Sequence, residues 1–250
     1  MKSLMDLAKQ GKPAYGAYIG DTGSCIAEMA IYAGFDYLRV DCEHTMAGQS
    51  ELKSILRIAE AADVPTLVRV STLSDITRLL DFGATGILVP DISTAEQAKM
   101  AVQLTKYAPL GQRGMSNISR KTRYGSVPFD AHLAKANDEI CIAVQIESAE
   151  GIANIDEILA VEGIDVVTVG ANDLSQSLGV TGKGGHPTVV AASDLVIEKA
   201  LARGLYPLIT ASTPEQSKQW TQRGAFLQTI CFDTAFLMKQ FNSLLASFQG

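Results

Sequence analysis

Eight times along this chain a short run of β-branched and other apolar residues is followed by a turn and a longer stretch with apolar side chains at helical spacing. The strand-like runs occupy 15–19, 37–41, 66–70, 86–89, 141–146, 165–169, 205–209 and 226–230. Segments at 49–62, 94–107, 189–203, 214–223 and 233–247 have helical periodicity. Such alternation restricts the topology strongly: a strand that returns through a helix must lie parallel to its predecessor, and a parallel sheet needs helices on its outside. Glycines at 34, 83, 204 and 224 stand between helical and strand-like runs, where a left-handed residue ends a helix. Eight βα units in 250 residues, with no linker-like stretch between them, predict one domain over 1–250, a single (β/α)8 barrel of the TIM-barrel type. An open dinucleotide-binding sheet is the other α/β solution, but the Gly-x-Gly-x-x-Gly turn is absent after the first strand.

The composition supplies a core, with 47% hydrophobic and 19% charged residues. A net charge of -6 without a basic stripe argues against nucleic acid and leaves small molecules as the expected partners. The first fifteen residues lack the apolar centre of a signal peptide, and no run of about 18 apolar residues occurs later, so the expected location is cytoplasmic and away from membranes. Cys25, Cys42, Cys141 and Cys231 are scattered, which predicts buried free thiols rather than a zinc knuckle or a disulfide framework.

In a barrel of this kind the chemistry sits at the carboxyl ends of the strands. The second strand ends in Asp41, Cys42, Glu43 and His44; the third contains Arg69; the fifth runs through Gln145 to Glu147; the sixth leads into Gly170, Ala171, Asn172 and Asp173. Glu147 and Asp173 each appear as an apolar strand emerges, and a charge there needs a partner. Two readings stand: the carboxylates hold a divalent ion through oxygen ligands, or they form salt bridges and cap helices. His44 is a candidate general base or a loop histidine bonded to backbone, and Asp41 or Asp81 could orient it. Arg69 interrupts an apolar strand, pointing to a bound anion or a core ion pair. Every lysine falls on a helical segment, a terminus or a loop, so imine catalysis is disfavoured. His186 lies in a glycine-rich loop and reads as structural. The irregular segment 108–130 carries Arg113, Arg120 and Arg123, either as a solvated connection or as a cover over a neighbouring subunit or an anionic substrate.

Six segments together resemble the class II pyruvate aldolases of the 4-hydroxy-2-oxoheptanedioate aldolase type, in the citrate-lyase-like superfamily: 33–44 (AGFDYLRVDCEH), 67–70 (LVRV), 86–90 (GILVP), 111–114 (GQRG), 144–147 (VQIE) and 169–175 (VGANDLS). The resemblance implies a divalent-metal-dependent carbon-carbon lyase that reversibly cleaves a 4-hydroxy-2-oxo acid to pyruvate and an aldehyde. It implies that Glu147 and Asp173 hold Mg²⁺, Mn²⁺ or Co²⁺, and that the ion stabilises a pyruvate enolate. By the same resemblance Arg69 stabilises the oxyanion, Gln145 helps place substrate or water, and backbone amides at Ala171, Asn172 and Asp173 receive the carboxylate. His44, oriented by Asp81, governs proton transfer, and the chain assembles as a hexamer, a trimer of dimers that exchange the C-terminal helix. Related enolate lyases acting on an acyl-CoA thioester or decarboxylating oxaloacetate are the alternative activity. Two positions depart from the family pattern: Arg39 stands where an apolar residue is usual, one pleat before Asp41 and facing the same side, and Asn172 replaces another residue.

Overall fold

The computed structural model describes residues 2–21, 23–46 and 48–249. Strands β1 (Ala14–Ile19), β2 (Tyr37–Asp41), β3 (Thr66–Arg69), β4 (Gly86–Val89), β5 (Cys141–Ile146), β6 (Val166–Val169), β7 (Tyr206–Thr210) and β8 (Leu227–Phe232) close in chain order into a parallel barrel. Each begins and ends within two residues of the run read from the sequence. The helices are α1 (Leu4–Ala8), α2 (Gly23–Tyr32), α3 (Gln49–Ala61), α4 (Ile76–Phe82), α5 (Ala95–Thr105), α6 (Phe129–Glu139), α7 (Ala149–Ala153), α8 (Ile155–Leu159), α9 (Ala171–Ser177), α10 (Pro187–Ala202), α11 (Pro214–Gln222) and α12 (Asp233–Gln249). The glycine stops behave as expected. Gly83 caps α4 at φ 112, its amide and that of Ala84 closing on the carbonyls of Leu80 and Leu79.

Strand alternation sorts the side chains into two cores. Leu38, Val40, Val68, Ile87, Ile142, Val144 and Val167 point outward and pack with helix residues such as Ile55, Leu56, Ile76 and Leu80. Their neighbours one residue along point inward: Tyr37, Leu67, Leu88, Cys141, Ala143, Val166, Leu208 and Leu227 fill the lower barrel. Helix α1 closes the amino-terminal end of that inner core with Leu4, Met5, Leu7 and Ala8, all buried. Its start is fixed by a capping box, in which the Asp6 amide donates to Ser3 Oγ at 3.1 Å and the Ser3 amide donates to Asp6 Oδ2 at 2.8 Å.

Segment 108–130 is mostly turns and is tied to the outside of the barrel rather than to its mouth. Buried Arg113 donates to Asp81 at 2.6 Å and lies 4.6 Å over the Tyr107 ring, and Arg120 donates to the Phe82 carbonyl at 2.8 Å and pairs with Glu60. Two of the segment's three arginines are therefore committed to α3 and α4. Buried Lys106 also serves the scaffold, its ammonium donating to carbonyls of Asn137 and Ile140 at the end of α6. All four cysteines are free, but only Cys141 is buried; Cys25 is exposed, because it sits on a face of α2 turned away from the barrel.

Candidate active site

Above the apolar plug the inward positions become polar. These inward positions are Arg39 and Asp41 on β2, Arg69 on β3, Gln145 on β5 followed by Glu147, and Thr168 on β6. Asp41 and Arg69 are register partners on β2 and β3, so their side chains emerge side by side. Arg69 Nε donates to Asp41 Oδ1 at 2.6 Å, Nη1 lies 3.1 Å from Glu43 Oε2, and Nη2 donates to the Tyr18 hydroxyl at 3.2 Å. Tyr18 in turn donates to Asp41 Oδ2 at 2.5 Å. A guanidinium has five N–H groups, so two remain for a ligand. Tyr18, Arg39, His44, Arg69, Gln145, Thr168, Thr210 and the turn from Gly170 to Asp173 line a cavity of about 520 Å³ at this end of the barrel.

Across the cavity, Glu147 is only 7% exposed. Its Oε1 accepts from the Asp91 amide at 2.7 Å and its Oε2 from the Gln145 side-chain amide. No cation pairs with it among the described residues. Burial pushes its carboxyl upward, the two hydrogen bonds oppose that, and the nearby charges of Glu43 and Asp173 add to it. Gly170 makes this position possible, because a Cβ there would overlap the Glu147 carboxylate. Burial also acts on Asp41, but bonds from Arg69 and Tyr18 outweigh it and hold that carboxyl at about 2. For Arg69, the bond with Asp41 more than offsets burial and raises it. Arg39 is lowered, first by burial and then by the charge of Arg69.

The structure brings His44, Arg69, Gln145, Ala171, Asn172 and Asp173 to one cavity, with Glu147 against its wall. Asp81 is elsewhere: α4 turns it toward segment 108–130, where Arg113 takes its carboxylate, and no contact with His44 is formed within the chain. His44 is exposed, its Nε2 3.7 Å from Glu43 Oε2 and its backbone amide 3.3 Å from Asp41 Oδ2. Asp41, the other candidate to orient it, thus holds its backbone. His186 caps α10, its Nδ1 accepting from the Thr188 amide at 3.3 Å, as the structural reading expected. Tyr18 escaped the sequence reading because no motif surrounds it, although its inward phase in β1, two residues after Gly16, was available. Asp173 lines the cavity and Glu147 lies behind Gly170, Asp41 and Glu43 are already paired with Arg69, and no cluster of three or more metal-ligating side chains occurs among the described residues.

Comparison with known proteins matches residues 15–239 to the family described as HpcH/HpaI aldolase/citrate lyase. The 4-hydroxy-2-oxo-heptane-1,7-dioate aldolase of Shigella sonnei is 37% identical over 244 residues, which is 96% of this chain and 92% of that protein. The 2-dehydro-3,6-dideoxy-6-sulfogluconate aldolase of Pseudomonas putida is 34% identical over 246 residues, 98% of this chain and 95% of its own length. A solved HpcH/HpaI aldolase from Desulfitobacterium hafniense DCB-2 superposes with a TM-score of 0.92 at 32% identity, covering 100% of this chain and 97% of that one.

Proposed function

This chain belongs to the HpcH/HpaI aldolase/citrate lyase family and is a carbon-carbon lyase of the aldolase kind, and on that premise we propose that it cleaves a 4-hydroxy-2-oxo acid to pyruvate and an aldehyde with the help of a divalent metal ion. The observation that carries the proposal is the pairing of Arg69, with two N–H groups left for an oxyanion, and Glu147, a buried carboxylate that no cation neutralises. Glu147 and Asp173 would hold the ion. Their oxygen donors suit Mg²⁺, Mn²⁺ or Co²⁺, and two protein ligands leave positions for water and for a chelating 2-oxo acid. When bound, the ion supplies the positive charge that polarises the substrate carbonyl.

The chain's own groups account for the rest of the cleavage. His44 takes the proton of the C4 hydroxyl, the C3–C4 bond breaks to release the aldehyde, and its electron pair moves into the 2-oxo acid fragment. Arg69, held rigid by Asp41, Glu43 and Tyr18, stabilises the negative charge gathering on the C2 oxygen. Gln145 steadies the Glu147 carboxylate, and the amides of Ala171, Asn172 and Asp173 begin α9, where helix geometry leaves them without internal partners for the substrate carboxylate. Reprotonation at C3 then gives pyruvate. The test is pyruvate release from 4-hydroxy-2-oxo acids before and after EDTA treatment and on adding Mg²⁺ or Mn²⁺. Cleavage indifferent to chelation would remove the metal from the proposal.

A hexamer built as a trimer of dimers belongs to the same proposal, with α12 exchanged between partners. Of its described residues α12 buries only Asp233, leaving Phe236, Phe241, Leu244, Leu245 and Phe248 exposed. A cytoplasmic location fits four unpaired thiols. Among the described residues no helix is long and apolar enough to cross a membrane.

A further inference from the structure

Arg39 sits in the barrel interior, one pleat deeper than Asp41, and is 7% exposed. Its guanidinium makes one hydrogen bond to the protein, from Nη2 to Gln145 Oε1 at 3.2 Å, and its Nε is buried with no partner. No carboxylate pairs with it among the described residues. The one on its own strand is already occupied: Asp41 Oδ1 receives Arg69 Nε and the Glu43 amide, and Oδ2 receives Tyr18 and the His44 amide. The Tyr18 ring, 5.7 Å from the guanidinium carbon, gives only partial compensation. A positive charge in this position, next to the like charge of Arg69, is costly unless an anion joins it. Holding Gln145 so that its amide nitrogen faces Glu147 uses one N–H of five. Arg39 lines the same cavity as Thr168 and Thr210.

We propose that Arg39 anchors a second anion subsite on the cavity floor, which receives a carboxylate or similar oxyanion of the substrate distinct from its 2-oxo acid group. The subsite deepens the aldolase reading and rests on it for the identity of the substrate: the preferred compound carries two acidic groups. Arg39 is a specificity residue, and the reaction proper remains with Arg69 and His44.

Calorimetric titration of the EDTA-treated full chain with succinate, and separately with butyrate, tests the subsite without requiring turnover. The wild-type chain is expected to bind succinate more tightly. In Arg39→Met the dissociation constant for succinate rises on the order of tenfold, that for butyrate changes less, and Arg39→Lys recovers part of the loss. Equal weakening of both ligands in a folded Arg39→Met chain would reduce Arg39 to a support for Gln145, and a wild-type chain with no preference for succinate would remove the subsite. These outcomes are independent of the pyruvate assay, so the subsite and the aldolase reading can fail separately. Comparing oxaloacetate with pyruvate as donor, and succinic semialdehyde with butanal as acceptor, identifies which partner carries the second acid: its kcat/KM advantage in the wild type shrinks about tenfold in Arg39→Met. If neither advantage shrinks, the proposal falls.

Discussion

Arg69 Nε lies 2.6 Å from Asp41 Oδ1, and the two residues are register partners on neighbouring strands of the barrel. Because Asp41 is fully buried, its ionised form survives folding chiefly through Arg69 and Tyr18, with the Glu43 amide adding to them. Its folded value of about 2 lies below the roughly 3.9 of an unfolded aspartate, so the unfolded chain binds that proton more readily. The resulting stability, roughly 2–3 kcal/mol, is fully present above the unfolded value and is lost as pH falls through the folded one. Between about pH 5 and about pH 3 the native chain should lose roughly 1 kcal/mol from this group alone. Urea unfolding at the two pH values measures it, and Asp41→Asn should show a correspondingly smaller loss. Identical pH dependence in the two proteins would mean that Asp41 titrates normally.

The same network makes Arg69 a separable test of the chemistry. Its three protein contacts fix the guanidinium, two N–H groups remain, and the residue lines the cavity. Arg69→Ala is expected to lower kcat about 10²-fold or more, by analogy with removal of an oxyanion donor. The substitution also strands Asp41, so activity should be measured well below the variant's melting temperature, after circular dichroism confirms the fold. A near-normal kcat in folded Arg69→Ala would reassign the oxyanion role.

Much of this arrangement was legible in the sequence because it depends on periodicity. The strand runs, the glycine stops and the strand-end positions of Arg69, Gln145, Glu147 and Asp173 all follow from the alternation of β and α segments. What escaped depends on direction and tertiary contact. Short α1 has a Ser3 to Asp6 capping box but too few residues for a periodic signal, and only the closed barrel shows what Leu4 and Leu7 cover. Tyr18 looked like one more aromatic residue in a strand, since its contact with Asp41 spans 23 positions. Asp81 looked available to His44 because spacing along a chain does not say which way a helix turns its side chain. In the fold it meets Arg113, 32 residues away. Arg39 was legible as unusual, but the satisfied state of Asp41 that leaves it unpaired was not.

Gly170 offers a test of the Glu147 position that leaves every ionisable group in place. A methyl there would overlap the carboxylate and stand 2.8 Å from Gln145 Nε2. Its φ of -87 is ordinary, so Gly170→Ala introduces crowding without backbone strain. The carboxylate should be pushed off its position, weakening binding of Mg²⁺ or Mn²⁺ about 10- to 100-fold in calorimetric titration. The melting temperature of the metal-free protein should move by only a few degrees, since the displaced group lies next to the cavity, outside the apolar core. Unchanged metal affinity would argue that the ion is held elsewhere.

Helix α12 is the element whose apolar surface most exceeds what one chain covers. Phe241 is 60% exposed, Leu245 57% and Phe248 84%, and among its residues only Asp233 is buried. Asp233 anchors the first turn by accepting from the Gly20 amide at 2.8 Å, so the helix leaves the barrel in a fixed place while its later turns lie uncovered. Exposed aromatic and aliphatic residues of this kind stabilise an assembly when a partner covers them. Placing charges there, as in Phe241→Asp with Leu245→Asp, should therefore shift the protein from an oligomer to a smaller species in light scattering coupled to size exclusion. The barrel interior does not include these side chains, so far-ultraviolet circular dichroism should be preserved. If the native chain is monomeric, or the double variant keeps the native mass, α12 is not the seam of the assembly.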